Sequence, residues 1–239
     1  MRPDDAPPNR SIETPHCRYP EAPWLCLEYQ DLGECSAEVY QRMLLSGWRR
    51  FGRQAFHTTC GDCRACRSLR VDVAAFRPNR SQRRVEKLNR GTVELRIGKP
   101  ILSRERMDLY HRFHDARTAA KGWPEVQETP LSYALAFLDN PFLTWEWSYS
   151  IHGRLVGVGL VDPLRLGLSA IYFYHDPDEH RRSLGTWNVL CLIQHARELG
   201  LPHVYLGFHV PGSGSLAYKS TFRPNEVLDR ELGWVDYLR

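Results

Sequence analysis

A chain of 239 residues that is 42% apolar and 11% aromatic can bury a core, either as one large domain or as two compact halves. Its start, MRPDDAPPNRSIETP, is polar and unlike a secretory leader, and no apolar run approaches the roughly 18 residues of a membrane helix, which points to the cytoplasm. The net charge of +4 conceals an asymmetry, since Arg42 to Arg96 holds fourteen Lys/Arg against four Asp/Glu; a polyanion such as nucleic acid, or a plain solvated basic surface, would suit that half.

Residues 1–15 read as a disordered arm, and Cys17 to Leu32 shows no clear period. Ala37 to Gly47 predicts a short helix, GWRRFGRQAFHTT a strand or hairpin, and SLRVDVAAF an alternating strand. A helix is expected from Ser81 to Arg90 with Gly91 as its stop, followed by the strand TVELRIG. On that helix Arg80, Arg83, Arg84, Lys87 and Arg90 sweep one basic stripe, with Val85 and Leu88 facing the other way. Two helical patterns surround KGWPEVQETP between residue 103 and Leu138. The order then becomes β-β-β-α-β: Thr144 to Ile151, Arg154 to Val161 across the hairpin signal His152-Gly153, Gly167 to His175, the helix Leu184 to Leu199, and HVYLGFHV.

Seven cysteines, three of them in CGDCRAC, read as reduced thiols rather than a disulfide framework. Cys60, Cys63 and Cys66, each three apart, can converge from a turn on one metal, and thiolates suit Zn²⁺ or an iron-sulfur cluster. Cys17 is the expected fourth ligand because it would clip the entry segment to the basic half; His16, His57, Cys26 and Cys35 are alternatives. Cys191 lies in an apolar helix and reads as core.

The loop RRSLGT sits between a strand and a helix and offers free backbone N–H groups to an anion. It resembles the pyrophosphate loop of the GNAT (N-acetyltransferase) fold, here Arg182-Ser183-Leu184-Gly185-Thr186-Trp187, with Trp187 where a small residue is usual. Read together, PHCRYP, GWRRFG, CGDCRACRSLRVDVAAFRPNRSQRRVEK, YFYHDPDEHRRSLGTWNVL, YLGFHV and AYKSTFRPNEVL closely resemble the aminoacyl-tRNA-protein transferases, with the cysteine spacing nearer to bacterial aspartate/glutamate leucyltransferases than to eukaryotic arginyltransferases. The resemblance implies an α+β, GNAT-like fold: a mixed, mostly antiparallel sheet flanked by helices. A cysteine-rich basic region over 16–100, for metal and tRNA, would precede a transferase region over 101–239.

It implies transfer of leucine or arginine from charged tRNA to proteins beginning with Asp or Glu, marking them for degradation, with no small-molecule cofactor for catalysis. A coenzyme A-dependent N-acetyltransferase, favoured by RRSLG, and a non-enzymatic zinc-bearing RNA-binding module are the alternatives. Aminolysis of an activated ester requires a positioned amine and a stabilised oxyanion more than a strong base. Asp176, His175 or His209 could assist as base, and Tyr205 or Tyr218 could return a proton to the ribose oxygen. Arg49, Arg50, Lys219 and Arg223, in the blocks GWRR and YKSTFRP, are the candidate cations for an acidic acceptor residue. Arg181, Arg182 and Gly185 would hold phosphate at the tRNA end, the stripe from Arg80 to Arg90 would carry the acceptor stem, and Trp123, Trp145, Trp147 and Trp187 could line an acyl pocket.

Overall fold

The computed structural model describes residues 10–14, 17, 25–122, 125, 128–213 and 215–237. In chain order the elements are β1 (Arg10–Thr14), β2 (Leu25–Asp31), α1 (Ala37–Leu45), β3 (Arg49–Phe51), β4 (Gln54–Thr58), β5 (Arg67–Asp72), α2 (Arg80–Asn89), β6 (Glu94–Gly98), α3 (Arg104–Lys121) and α4 (Pro130–Phe137). Then come β7 (Trp145–Ile151), β8 (Arg154–Leu164), β9 (Gly167–His175), α5 (Leu184–Glu198), β10 (His203–His209), β11 (Asn225–Asp229) and β12 (Gly233–Asp236). Short 3-10 turns occupy Pro177–Arg182 and Ala217–Thr221.

Among the described residues these strands form a four-stranded sheet, β1-β2-β4-β3, and an eight-stranded sheet, β12-β11-β5-β10-β9-β8-β7-β6. Every pairing is antiparallel except β9 with β10. This is the mixed, mostly antiparallel sheet with flanking helices that the sequence predicts. The division expected at residue 100 does not divide the sheet: β5 sits between β10 and β11, and β6 forms an edge. Of the expected arm, residues 1–9 and 15 lie outside the described residues, while Arg10–Thr14 pair with β2. His16 and Trp123 also lie outside them.

Local chemistry sets the element ends. Asn79 and Gln82 close a capping box on α2 with two 2.9 Å bonds, and Thr129 and Ser132 do the same on α4, where Pro130 occupies the first turn. α3 begins at a Ser103 cap and ends on Gly122 at φ 62°. The β7–β8 hairpin turns at His152 and Gly153, both at positive φ, as that dipeptide predicts.

α5 and Val85 of α2 cover one face of the large sheet, burying Leu69, Val71, Trp147, Tyr149, Leu192 and Val204. α3 and α4 cover the other face over Val158, Leu160 and Tyr174. A third cluster joins α1 and the small sheet to Leu164 and Tyr205. Cys191 packs against the first core, where burial pushes its thiol up to about 12, an unreactive state. No described helix is long and apolar enough to cross a membrane.

Candidate functional site

The parallel pair β9–β10 holds register at only two positions, Val204 with Leu168 and Tyr205 with Ser169. Beyond them β10 breaks register against β5 between Tyr205 and Gly207, with Gly207 at φ 75°. The two strands part, and a cavity of about 400 Å³ opens at the parting. Its walls come from β9 (Ala170, Ile171, Tyr172, Phe173, His175), the start of α5 (Ser183 to Thr186, Asn188, Val189), α3 (Phe113, Arg117), Leu206, and the segment Ser215, Leu216, Tyr218, Lys219. None of these residues is Asp or Glu.

The α5 amino terminus opens onto this cavity without a side-chain cap, because Ser183 turns at φ 50°. Its N–H groups and the helix dipole therefore give the cavity a positive end, and Gly185 of the RRSLGT loop lines the wall. Arg182 is held by Glu179 at 2.9 Å and reaches the Leu88 carbonyl, while Arg181 is exposed.

Arg49 and Arg50 are consecutive on β3 and point opposite ways. Arg49 donates to Ser169 Oγ at 3.3 Å and to the Ala170 carbonyl, at the root of the parting strands; it is buried behind the cavity wall, touching the lining residue Ala170 without lining the cavity itself. Lys219 donates to the Phe208 carbonyl at 2.9 Å, and its ammonium is pulled down to about 7, by burial first and by nearby Arg49 second. Arg50 is different. Its five N–H donors go to both Asp162 oxygens, Gly52 O, Asn140 Oδ1 and Thr144 Oγ1, so it is committed to the fold and has no donor left for an acceptor. Arg223 is exposed, donates to Ser220 O and does not line the cavity.

The candidate bases separate as clearly. Asp176 is fully buried beneath Arg112 at 3.0 Å and Arg154; burial alone would raise its carboxyl, but those arginines and the Asp178 N–H hold it below the usual range. It is an anchor for the turn after β9 rather than a base. His175 lines the cavity, and burial lowers its imidazole, so it is neutral at pH 7. Its Nδ1 lies 3.2 Å from the Asp176 carbonyl, which can only accept, so Nδ1 carries the hydrogen and Nε2 keeps a lone pair. His209 stacks edge-on with Tyr237 at 4.9 Å, and Tyr205 lies in the third core cluster; neither lines the cavity. Tyr218 does. Of the candidate tryptophans that are described, none does: Trp147 and Trp187 are core, and Trp145 packs beside them.

Arg80, Arg83, Arg84, Lys87 and Arg90 are all exposed on α2. Arg83 donates to Pro78 O and Arg90 pairs with Glu86. The inward face is Gln82, Val85 and Asn89, whereas Leu88 is 46% exposed and does not face inward as expected.

Cys17, Cys60, Cys63 and Cys66 line one further cavity of about 660 Å³, together with His57. Cys60 accepts from Cys26 N at 3.3 Å. Among the described residues no three His, Cys, Asp or Glu side chains converge to metal-bonding geometry.

The chain matches the family described as arginine-tRNA-protein transferase over residues 12–84 for its amino-terminal part and 105–229 for its carboxy-terminal part. It is 36% identical over 204 residues to an aspartate/glutamate leucyltransferase of Campylobacter jejuni, covering 84% of each chain. To that of Pseudomonas fluorescens it is 36% identical over 224 residues, covering 92% of this chain and 93% of the relative. Among solved structures it is similar to L-PGS from Bacillus licheniformis, at 12% identity and a TM-score of 0.44 over 88% of this chain and 71% of that one. Matched across both parts of the family and along most of its length to these relatives, the chain belongs to the arginine-tRNA-protein transferase family and is an aminoacyltransferase.

Proposed function

We propose that this enzyme transfers leucine from its tRNA to the amino terminus of proteins beginning with Asp or Glu, with the charged tRNA end bound in the cavity between β9 and β10. The observation that carries this is the cavity's lining: apolar walls, the cations Arg117 and Lys219, the open α5 amino terminus, and no carboxylate among the described residues. Such a wall receives a leucyl side chain and the tRNA phosphate. An arginyl group would add a further cation to a wall that already carries Arg117 and Lys219, which disfavours arginine as donor. The parting strands and the adjacent helix end support a GNAT-like reading of the fold.

The ester is already activated, so the reaction needs no further cofactor. The acceptor amine, titrating near 7.7 to 8, is partly neutral at pH 7 and attacks the ester carbonyl. An N–C bond forms, the C–O bond to the ribose breaks, and one ammonium proton must leave. His175 Nε2 is the group on the wall suited to take it, and Tyr218 is placed to hand one to the ribose oxygen. Positioning supplies most of the acceleration. The α2 stripe, with Arg181 beyond it, meets the acceptor stem, and Cys17, Cys60, Cys63 and Cys66 hold a structural zinc or iron-sulfur centre, a reading supported by their sharing one cavity wall.

Incubation with labelled leucyl-tRNA, arginyl-tRNA or acetyl-CoA and an Asp-starting peptide tests this. Label should pass from leucyl-tRNA at least tenfold faster than from arginyl-tRNA, the ratio that about 1.4 kcal/mol of charge penalty produces, and acetyl-CoA should give none. Faster transfer from arginyl-tRNA would overturn the donor assignment, and transfer from acetyl-CoA alone would overturn the tRNA reading.

A further inference from the structure

Arg49 and Lys219 lie within each other's field at the root of the parting strands, one arriving from β3 and bonding β9, the other arriving from the turn after β10 and bonding Phe208 of β10. Among the described residues neither has a carboxylate at ion-pair distance. The inward-facing Arg50 and Arg106, by contrast, hold Asp162 and Glu146. The field of Asp162 reaches Arg49, but that carboxylate is bonded to Arg50. Gly207 makes the approach possible: a Cβ there would lie 3.2 Å from the Arg49 Nε and Nη2. Two neighbouring cations drawn out of water without a counter-ion are costly, and an incoming anion removes that cost.

The transferase reading above, on which this inference rests, supplies such an anion: the acceptor's first side chain, beside the amine that must reach the ester. We propose that Arg49 and Lys219 together seat the side-chain carboxylate of the acceptor's first residue and so select Asp or Glu over neutral residues. Arg49 supplies a permanently charged planar fork and Lys219 a point charge. Arg49 from β3 is the charge that acts on Lys219, and the titratable groups that share the cavity wall with it are Arg117 from α3, Tyr172 and His175 from β9, and Tyr218 beside it in the chain; none is an acid able to hold it charged.

A proton linkage follows. Alone, Lys219 begins to lose its charge as pH rises through about 7. A seated carboxylate favours the ammonium, so an acidic acceptor takes up a proton on binding above that pH. The seat is complete below pH 7 and weakens above it. The acceptor's own amine titrates higher beside the Asp carboxylate than beside the Asn amide, so the pH dependence of the ratio of their kcat/KM values is compared with that in Lys219→Arg, which keeps the amine difference and lacks the lysine.

The experiment measures that ratio with leucyl-tRNA between pH 6.5 and 9 for the full chain. Relative to the same ratio in Lys219→Arg, it should fall about tenfold or more from pH 7 to 9, because one unit of pH is one factor of ten once the group deprotonates. Lys219→Arg should remain selective and lack that fall. Lys219→Met and Arg49→Met should each lose at least tenfold of the Asp/Asn ratio, as expected when a charge-assisted bond is removed. A wild-type ratio that tracks Lys219→Arg across the whole pH range, or full selectivity in both Met variants, overturns the proposal. Calorimetric binding of the two peptides in buffers of different ionisation enthalpy decides the seat without turnover. At pH 7.5 the excess uptake of the Asp over the Asn peptide should be up to about three quarters of a proton larger in the wild-type protein than in Lys219→Arg; equal affinity for the two peptides with the same excess in both proteins overturns the seat. Absence of transfer to either peptide would instead sink the transferase reading, with the calorimetry still deciding the seat.

Discussion

Arg49 and Arg50 are neighbours with the same side chain and opposite fates, and the difference is strand alternation. With Arg49 paired to Phe56 and Arg50 to Ala55 across β3–β4, one guanidinium reaches the large sheet's open seam and the other enters a closed polar nest around Asp162. A sequence block such as GWRR advertises both and distinguishes neither, because the distinction depends on which face of β3 meets β9. Arg50 also stacks 4.7 Å over Phe142, so its loss opens a hole as well as stranding Asp162. Breaking a buried pair on one side costs about 3 to 5 kcal/mol. For a domain of this size that lowers the melting temperature by roughly 10 °C. Arg50→Ala should therefore melt earlier and lose activity toward Asp- and Asn-starting peptides by the same factor. An unchanged melting temperature combined with loss confined to the Asp peptide would return Arg50 to the acceptor site.

Helix α2 was legible in the sequence because its signals are local: a cap residue, a partner three positions on, and charges at helical spacing. Its inward face was not, since Gln82 and Asn89 are the buried members, bonding Thr221 O and Arg182 O, while Leu88 is left outside. The same division runs through the other elements. The hairpin at His152-Gly153 and the strand-helix order around α5 follow from turn chemistry and periodicity. The place of β5 between β10 and β11, the partial pairing of β9 with β10, and the arrival of Arg117 from mid-helix are tertiary facts that no local pattern encodes. The cavity therefore could not be read from the sequence, although Gly185, Lys219 and His175 on its wall could be named. The exposed stripe carries its own test. Arg83→Glu with Lys87→Glu leaves the buried face untouched, so the fold should persist. Affinity for tRNA should fall at least tenfold at 0.15 M salt, and the slope of log affinity against log salt should shrink by about 2, as expected when two phosphate contacts are removed. Binding of the acceptor peptide should not change. An unchanged salt slope would make the stripe a solvated surface.

At the scale of the whole molecule the cysteine loop is the hinge between the two sheets. It leaves β4 of the small sheet at Thr58 and enters β5 of the large one at Arg67. Arg230, in the turn between β11 and β12, holds it by donating to Gly61 O at 3.1 Å, and Cys17 faces the same cavity from the segment between β1 and β2. A centre bound by these thiols would thus join two stretches of chain, the Cys17 segment and the loop after β4, and its binding energy would be folding energy. Protein purified without oxygen should contain about one zinc ion or one cluster per chain, measured by metal analysis and absorbance. Cys63→Ser should lose that metal and melt at lower temperature together, with hydrogen exchange rising first in β2 and β4, the strands beside the loop. Cys191→Ser, in the core on the far side of the sheet, should keep the metal, which separates loss of a ligand from general destabilisation. Metal content unchanged in Cys63→Ser, or a metal-free wild-type protein with the same melting temperature and activity, would show that the thiols serve only to line a cavity.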